Sequence, residues 1–260
     1  MTQADPLDST QIPAGLGVAD GIATITLARP RRGNALSAEL VDAIHTAMDS
    51  ALADASVHTL VFRAEGAHFC TGFDLGDLDT SSDGDLLLRF VRIEQLLARV
   101  WAAPVRTVAL AQGRCWGAGA DLFAACEERI ASTDASFRFP GAGFGIVLGT
   151  RRLIARVGEH LGRRLVTNAL TIDADMAKTC GLATTLAAPD ETDALLAQCS
   201  AAPRVTATTA GALRAASRSG DASALEADLA ALVRSAAAPG LRERIATYRD
   251  AVRASARKHD

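Results

Sequence analysis

Hydrophobic and polar positions divide the chain into short strands, amphipathic helices and glycine-rich bends. Apolar residues at 16–19 and 22–27 flank Asp20-Gly21, the dipeptide that best tolerates the positive backbone angles of a two-residue turn, so a β-hairpin is predicted. The polar residues before about 14 include two prolines and read as a loose leader. Leu40, Val41, Ile44, Met48, Ala51 and Leu52 share one face of a helix that Ser37 can cap. Residues 57–62 read as a strand, 65–75 as turn-rich and 79–85 as a polar loop. Leu86, Phe90, Ile93, Leu97 and Val100 then mark a strongly amphipathic helix that ends before Pro104.

The β-branched and apolar run 105–111 predicts a buried strand, and 122–126 the first turns of a buried helix. Between them lies Gly113-Arg114-Cys115-Trp116-Gly117-Ala118-Gly119-Ala120-Asp121. A strand that turns through small residues into a helix leaves backbone N–H groups without intrahelical partners, and so makes an anion site from backbone alone. Asp121 lies one helical turn beyond Ala118, so its carboxylate shares that face. The same residues also suit a tight structural turn with Asp121 as an N-terminal helix charge.

Farther along, 129–131 and 135–140 read as short strands, and four glycines within 141–149 predict a loop entering a helix at 150–157. Strands and helices alternate to about 188, the pattern of an α/β fold, without a self-similar sequence period. From 189 the composition turns to alanine-rich helices, broken near Pro203, Gly220 and Pro239-Gly240. Alanine favours helix but buries little area, so this region is expected to depend on docking against the core or another subunit. The predicted division is a core at 15–188 and a helical, oligomerising region at 189–260.

Composition changes this picture little. Hydrophobic residues at 49% and charged residues at 22% are ordinary for a globular protein, and a net charge of -3 gives nucleic acid no reason to bind. The five cysteines are odd in number, dispersed and never spaced C-x-x-C, which predicts a reduced interior without disulfide framework or zinc site. No apolar run approaches bilayer length and no secretory leader is visible, so a cytoplasmic protein without a membrane partner is expected.

Three ordered motifs carry a resemblance. They are Arg29-Pro30-x-x-x-Asn34-Ala35-Leu36, Gly66-x-x-Phe69-Cys70-Thr71-Gly72-Phe73-Asp74-Leu75 and Gly113-x-x-x-Gly117-Ala118-Gly119-x-Asp121-Leu122. With them the chain resembles the crotonase superfamily, the enoyl-CoA hydratase/isomerase family, from about residue 16 to 188. Residues 170–177 resemble the family's helix after the core. The resemblance implies an α/β spiral of ββα units with a C-terminal helical region, assembled as a homotrimer or hexamer. It also implies a coenzyme A thioester whose carbonyl oxygen lies between the backbone N–H groups of Phe73 and Ala118. Coenzyme A would be part of an acyl-CoA or enoyl-CoA substrate, with no permanently bound cofactor.

By the same resemblance Arg31, with the backbone at Gly33 and Ala35, would line the coenzyme site together with Thr71, Asp74 and Leu75. Trp116, Gly117, Pro140 and Gly141 would line the substrate pocket. Asp74 has a second reading, in which it caps backbone N–H groups of its own loop. His68 and Cys70 read as loop and packing residues.

The chain departs from the family at its acids. Hydratases of the family carry two glutamates; the first position is Asp121 and the second is Gly141, with no carboxylate between Asp134 and Glu159. A one-base reaction on an acyl-CoA is therefore expected, with Asp121 acting on an α-proton or on water and the enolate held by Phe73 and Ala118. If backbone donors offset burial, Asp121 is expected to be ionised. The alternative is a catalytically silent acyl-CoA-binding paralogue.

Overall fold

The computed structural model describes residues 13–188, 190–217 and 221–256. The chain opens on the predicted hairpin, β1 (Ala14–Ala19) and β2 (Ile22–Leu27), with Asp20 and Gly21 both at positive φ (51° and 73°). β2 alternates, burying Ala23, Ile25 and Leu27. Ser37 caps α1 (Ala38–Ala53) by accepting from the Leu40 N–H, and β3 (Thr59–Ala64) follows. α2 (Asp83–Trp101) begins inside the segment read as a polar loop. Ser82 and Asp85 form a reciprocal capping box there, so the last polar residues of that segment are a helix start.

The next part of the chain alternates between two sheets. β4 (Arg106–Ala111) joins the larger sheet, β5 (Arg114–Trp116) the smaller one, and α3 (Ala118–Ala125) follows. β6 (Glu128–Ser132) and β7 (Ser136–Arg138) repeat that pattern. A 3-10 turn at Gly141–Phe144 then leads toward α4 (Thr150–Val157) and α5 (Glu159–Thr167). β8 (Thr171–Asp173) returns to the smaller sheet, and after α6 (Ala174–Thr179) the strand β9 (Thr185–Ala187) closes the larger one. Residues 170–177 are thus strand and then helix, rather than helix throughout: Asp173 ends β8 and its side chain caps α6 through the Met176 N–H.

The larger sheet runs β1-β2-β3-β4-β6-β9, parallel except for the antiparallel β1-β2 pair. The smaller runs β5-β7-β8. This is the mixed α/β architecture that the resemblance implies.

The last described segments are helical: α7 (Thr192–Ser200), α8 (Ala207–Ser217), α9 (Asp221–Ala236) and α10 (Leu241–Ala256). The breaks at Pro203 and Pro239-Gly240 fall between them; Gly220 lies outside the described residues. α9 and α10 fold back on this chain's own α2. Leu232, Ala236, Leu241 and Ile245 bury themselves against Leu78, Leu86 and Phe90 in a second, smaller core. Asp83, at the start of α2, accepts from the Leu241 and Arg242 N–H groups and so caps α10 from across the fold.

Candidate active site

Two bends meet beside the smaller sheet. In the first, Gly72 sits at φ 104°. One side of this bend runs along β5, where Cys70 N–H donates to Arg114 O (3.2 Å) and Trp116 N–H to Cys70 O (2.9 Å). The other side is tied to Leu36, whose N–H donates to Gly72 O (2.7 Å) and whose carbonyl accepts from Asp74 N–H (3.2 Å). In the second bend Gly117, at φ 53°, ends the strand and starts α3, its N–H donating to Arg138 O (2.8 Å). That φ suits glycine and few other residues.

The bends are in backbone contact. A Cβ on Gly72 would lie 3.0 Å from Trp116 O and 3.6 Å from Ala118 N, and one on Gly119 would lie 2.5 Å from Cys70 O. Glycine at these places lets the start of α3 sit directly on the first bend. Among the described residues neither the Phe73 nor the Ala118 N–H has a hydrogen-bond partner. Both residues border the same cavity.

That cavity, of about 130 Å³, is lined by eight of the residues singled out from sequence: Thr71, Phe73, Leu75, Gly117, Ala118, Asp121, Pro140 and Gly141. Phe90, Phe144, Ile146, Leu148, Ile245 and Tyr248 make much of the remaining wall. Sequence reasoning missed these: Phe90 sits in an ordinary apolar pattern, Phe144, Ile146 and Leu148 in the glycine-rich loop, and Ile245 and Tyr248 in the alanine-rich tail.

Asp121 is 6% exposed, and its side chain faces the cavity from the first turn of α3. Among the described residues nothing donates a hydrogen bond to its carboxyl group. Burial pushes its pKa well above the usual aspartate value; the positive charge of Arg152 opposes this and Glu94 adds to it. The backbone donors that would keep Asp121 ionised are therefore not in place, and the neutral acid is favoured over a wider pH range than the sequence led us to expect. Gly149, at φ 65°, packs against this carboxyl; a Cβ there would fall 2.2 Å from its Oδ1.

Behind Asp121 lies a buried charge cluster that the sequence reading did not single out. Arg152 of α4, fully enclosed, pairs with Glu94 of α2 and with Asp228 of α9, which also pairs with Arg151 at 2.9 Å. Burial raises the pKa of Glu94 to about 7 against the pull of Arg152. One signal was available: Glu94 falls on the Phe90–Leu97 stripe, the apolar face of α2.

Arg31, Gly33, Ala35, Asp74 and Trp116 do not border the cavity. Arg31 and Arg32 are exposed, and Gly33 packs against the Thr71 side chain. Ala35 O and Asp74 both accept from Arg29 Nη1, at 2.8 and 2.9 Å. Asp74 Oδ1 also accepts from the Gly76 N–H (2.9 Å), so this carboxylate fixes its own loop. The buried Asn34 clamps the basic loop by donating to Glu65 O and His68 O. Trp116 packs with Arg114 and Arg138 and donates to Ser136 Oγ.

His68 accepts from the Arg114 N–H, a loop role. All five cysteines are free thiols, and burial pushes Cys70 and Cys126 up to about 12. Among the described residues no cluster could hold a metal ion, and no helix is long and apolar enough to cross a membrane.

Comparison with known proteins gives one consistent result. The family model described as enoyl-CoA hydratase/isomerase matches residues 17–250. A protein of Mycobacterium leprae described as a probable enoyl-CoA hydratase is 31% identical over 191 residues, which cover 71% of this chain and 75% of that protein. Among solved structures, a candidate enoyl-CoA hydratase/isomerase from Bordetella parapertussis is 44% identical with a TM-score of 0.87, covering 92% of this chain and 98% of that one. An enoyl-CoA hydratase/isomerase from Xanthobacter autotrophicus Py2 is 27% identical with a TM-score of 0.81, covering 95% and 97%.

Proposed function

The chain belongs to the enoyl-CoA hydratase/isomerase family, and from that premise we propose that it is an enzyme that moves a proton at the α-carbon of a coenzyme A thioester. The observation that carries this reading is the pair of N–H groups, Phe73 and Ala118, that have no partner among the described residues and lie on touching bends beside a buried carboxyl. In the proposed step a carboxylate oxygen of Asp121 takes the α-proton. The C–H electron pair becomes a C=C bond and the carbonyl π electrons move to oxygen. The two N–H groups then hold the resulting enolate oxygen, each contributing on the order of 10²–10³ in rate by analogy with measured oxyanion holes.

Burial suits Asp121 to this work. A base whose pKa is raised toward the working pH is a stronger proton acceptor than an ordinary aspartate and can return the proton afterwards. Among the described residues lining the cavity, Asp121 is the sole carboxyl group, and the second acidic position of the family is Gly141, in the 3-10 turn. The reading is therefore single-base chemistry, such as double-bond isomerisation or epimerisation, rather than two-acid hydration. The basic loop, with Arg31 exposed, is assigned to the coenzyme, whose phosphates need cations. The proposal has coenzyme A enter with the substrate, places the reaction in the cytoplasm, where free thiols persist, and has a homotrimer or hexamer carry it out.

Isotope exchange tests the step. Incubated in deuterium oxide with saturated acyl-CoA, the protein is expected to wash deuterium into the α-position, read by mass spectrometry. Asp121→Asn should cut the exchange rate roughly 10²–10⁴-fold while coenzyme thioester binding persists. Equal exchange by both proteins would remove Asp121 from the mechanism. Binding without exchange in the wild type would favour a silent paralogue.

A further inference from the structure

We propose that the acyl group this cavity accepts is short, uncharged and apolar, on the order of four to six carbons, and that Phe144 and Tyr248 set that limit. The inference rests on the reading of the cavity as a thioester site. It adds the class of acyl group, which neither the family nor the bends determine.

Three observations carry it. The first is size. The cavity holds about 130 Å³, thioester end included; an apolar protein cavity of about 150 Å³ holds a benzene molecule. A chain of twelve carbons cannot be enclosed within it.

The second is the wall. Phe73 and Phe90 stack at 4.3 Å with their planes 13° apart, Phe144 lies 6.5 Å from Phe90, and Tyr248 lies 5.2 Å from Phe144. This aromatic row is held in place from behind. Arg244 donates to Phe144 O (2.7 Å) and to Ala238 O (3.0 Å), fastening α10 to the 3-10 turn. The Tyr248 ring lies against Gly143, where a Cβ would come within 3.0 Å of it, so the missing side chain is what lets the ring settle.

The third is charge. Among the described residues no lysine, arginine or histidine lines the cavity, and its carboxyl group, Asp121, is buried. An acyl group ending in a carboxylate would be desolvated beside an acid with no cation to meet it.

Calorimetric titration of the full chain with coenzyme A, with saturated acyl-CoAs of four, six, eight and twelve carbons, and with succinyl-CoA tests this. Butyryl-CoA and hexanoyl-CoA are expected to bind at least tenfold tighter than coenzyme A, each buried methylene adding about fourfold. Dodecanoyl-CoA and succinyl-CoA are expected to gain nothing over coenzyme A. In Tyr248→Ala, and in the milder Phe144→Leu should the first variant not fold, the optimum is expected to move to longer chains. A wild type that binds dodecanoyl-CoA or succinyl-CoA as tightly as butyryl-CoA overturns the inference and leaves the thioester reading standing. If neither coenzyme A nor any thioester binds, the thioester reading itself fails and takes this inference with it.

Discussion

The two ends of the cavity are built on opposite principles. At one end the proposed oxyanion donors are backbone: the Phe73 and Ala118 N–H groups, placed where two bends touch without intervening side chains. At the other end the wall is entirely side chain, assembled from α2, the 3-10 turn and α10. The first end depends on what is missing at Gly72, Gly117 and Gly119, and is indifferent to which side chain follows the donor. The second depends on the size of each ring. A site made this way can keep its chemistry fixed while its preference for acyl groups changes.

The sharpest way to break this contrast is Gly119→Ala. Its methyl would sit 2.5 Å from Cys70 O, a backbone atom, so α3 must move off the first bend. The separation should cost on the order of 10²–10³ in kcat, the loss expected when one of two donors is misaligned. Thermal unfolding of the same variant checks that the fold survives. Full activity would show that the contact between the bends is not what aligns the donors.

A smaller effect comes from pH. On the proposed mechanism Asp121 acts as a base only when ionised, and burial places its pKa above the ordinary aspartate range. Activity is therefore expected to fall about tenfold per pH unit below that raised pKa and to level off above it, well to the alkaline side of an exposed aspartate. The sign for stability is opposite. A carboxyl with a raised folded pKa favours the native state at low pH, and that contribution is lost as pH rises through the folded value. The catalytic limb is read from kcat/KM against pH. A limb centred near pH 4 would mean that Asp121 is solvated in the working enzyme.

The smallest effect is predicted for Ala118→Gly. If the donor is backbone, removing a methyl from a residue already 4% exposed should change kcat only a few-fold, about as far as a helix-start glycine loosens the N–H. A loss comparable to that of Gly119→Ala would make the side chain itself part of the working end.

The same contrast explains what could be read in the chain. Turns built on positive φ leave glycine in the sequence, so Gly72 and Gly117 announced the backbone end, and Asp121 followed from helical spacing. Strand and helix order was legible for the same reason: Asp20-Gly21 and Ser37 carry local chemistry. Ile245 and Tyr248 announced nothing, because an apolar residue on an amphipathic helix looks alike whether it faces a core or a cavity, and Phe144 was one apolar residue inside a glycine-rich loop. The protonation of Asp121 was hidden too. It depends on how deeply α3 is buried and on Arg152 and Glu94, which are distant in sequence and meet only when α2 and α4 pack. Residues 170–177 failed for a local reason: three residues are enough to extend the smaller sheet before Asp173 starts α6, too few to show a strand's alternation.

The cap that Asp83 places on α10 ties recognition to the most C-terminal described helix of the chain. Ile245 and Tyr248 enter the wall only while that helix is down, so a molecule that fills the cavity also weighs against the helix lifting away. Occupancy and tail attachment are two readings of one equilibrium, and each must strengthen the other by the same factor. Protection of the α10 amides from hydrogen exchange thus reports, at a distance from the chemistry, how well any given acyl group fits.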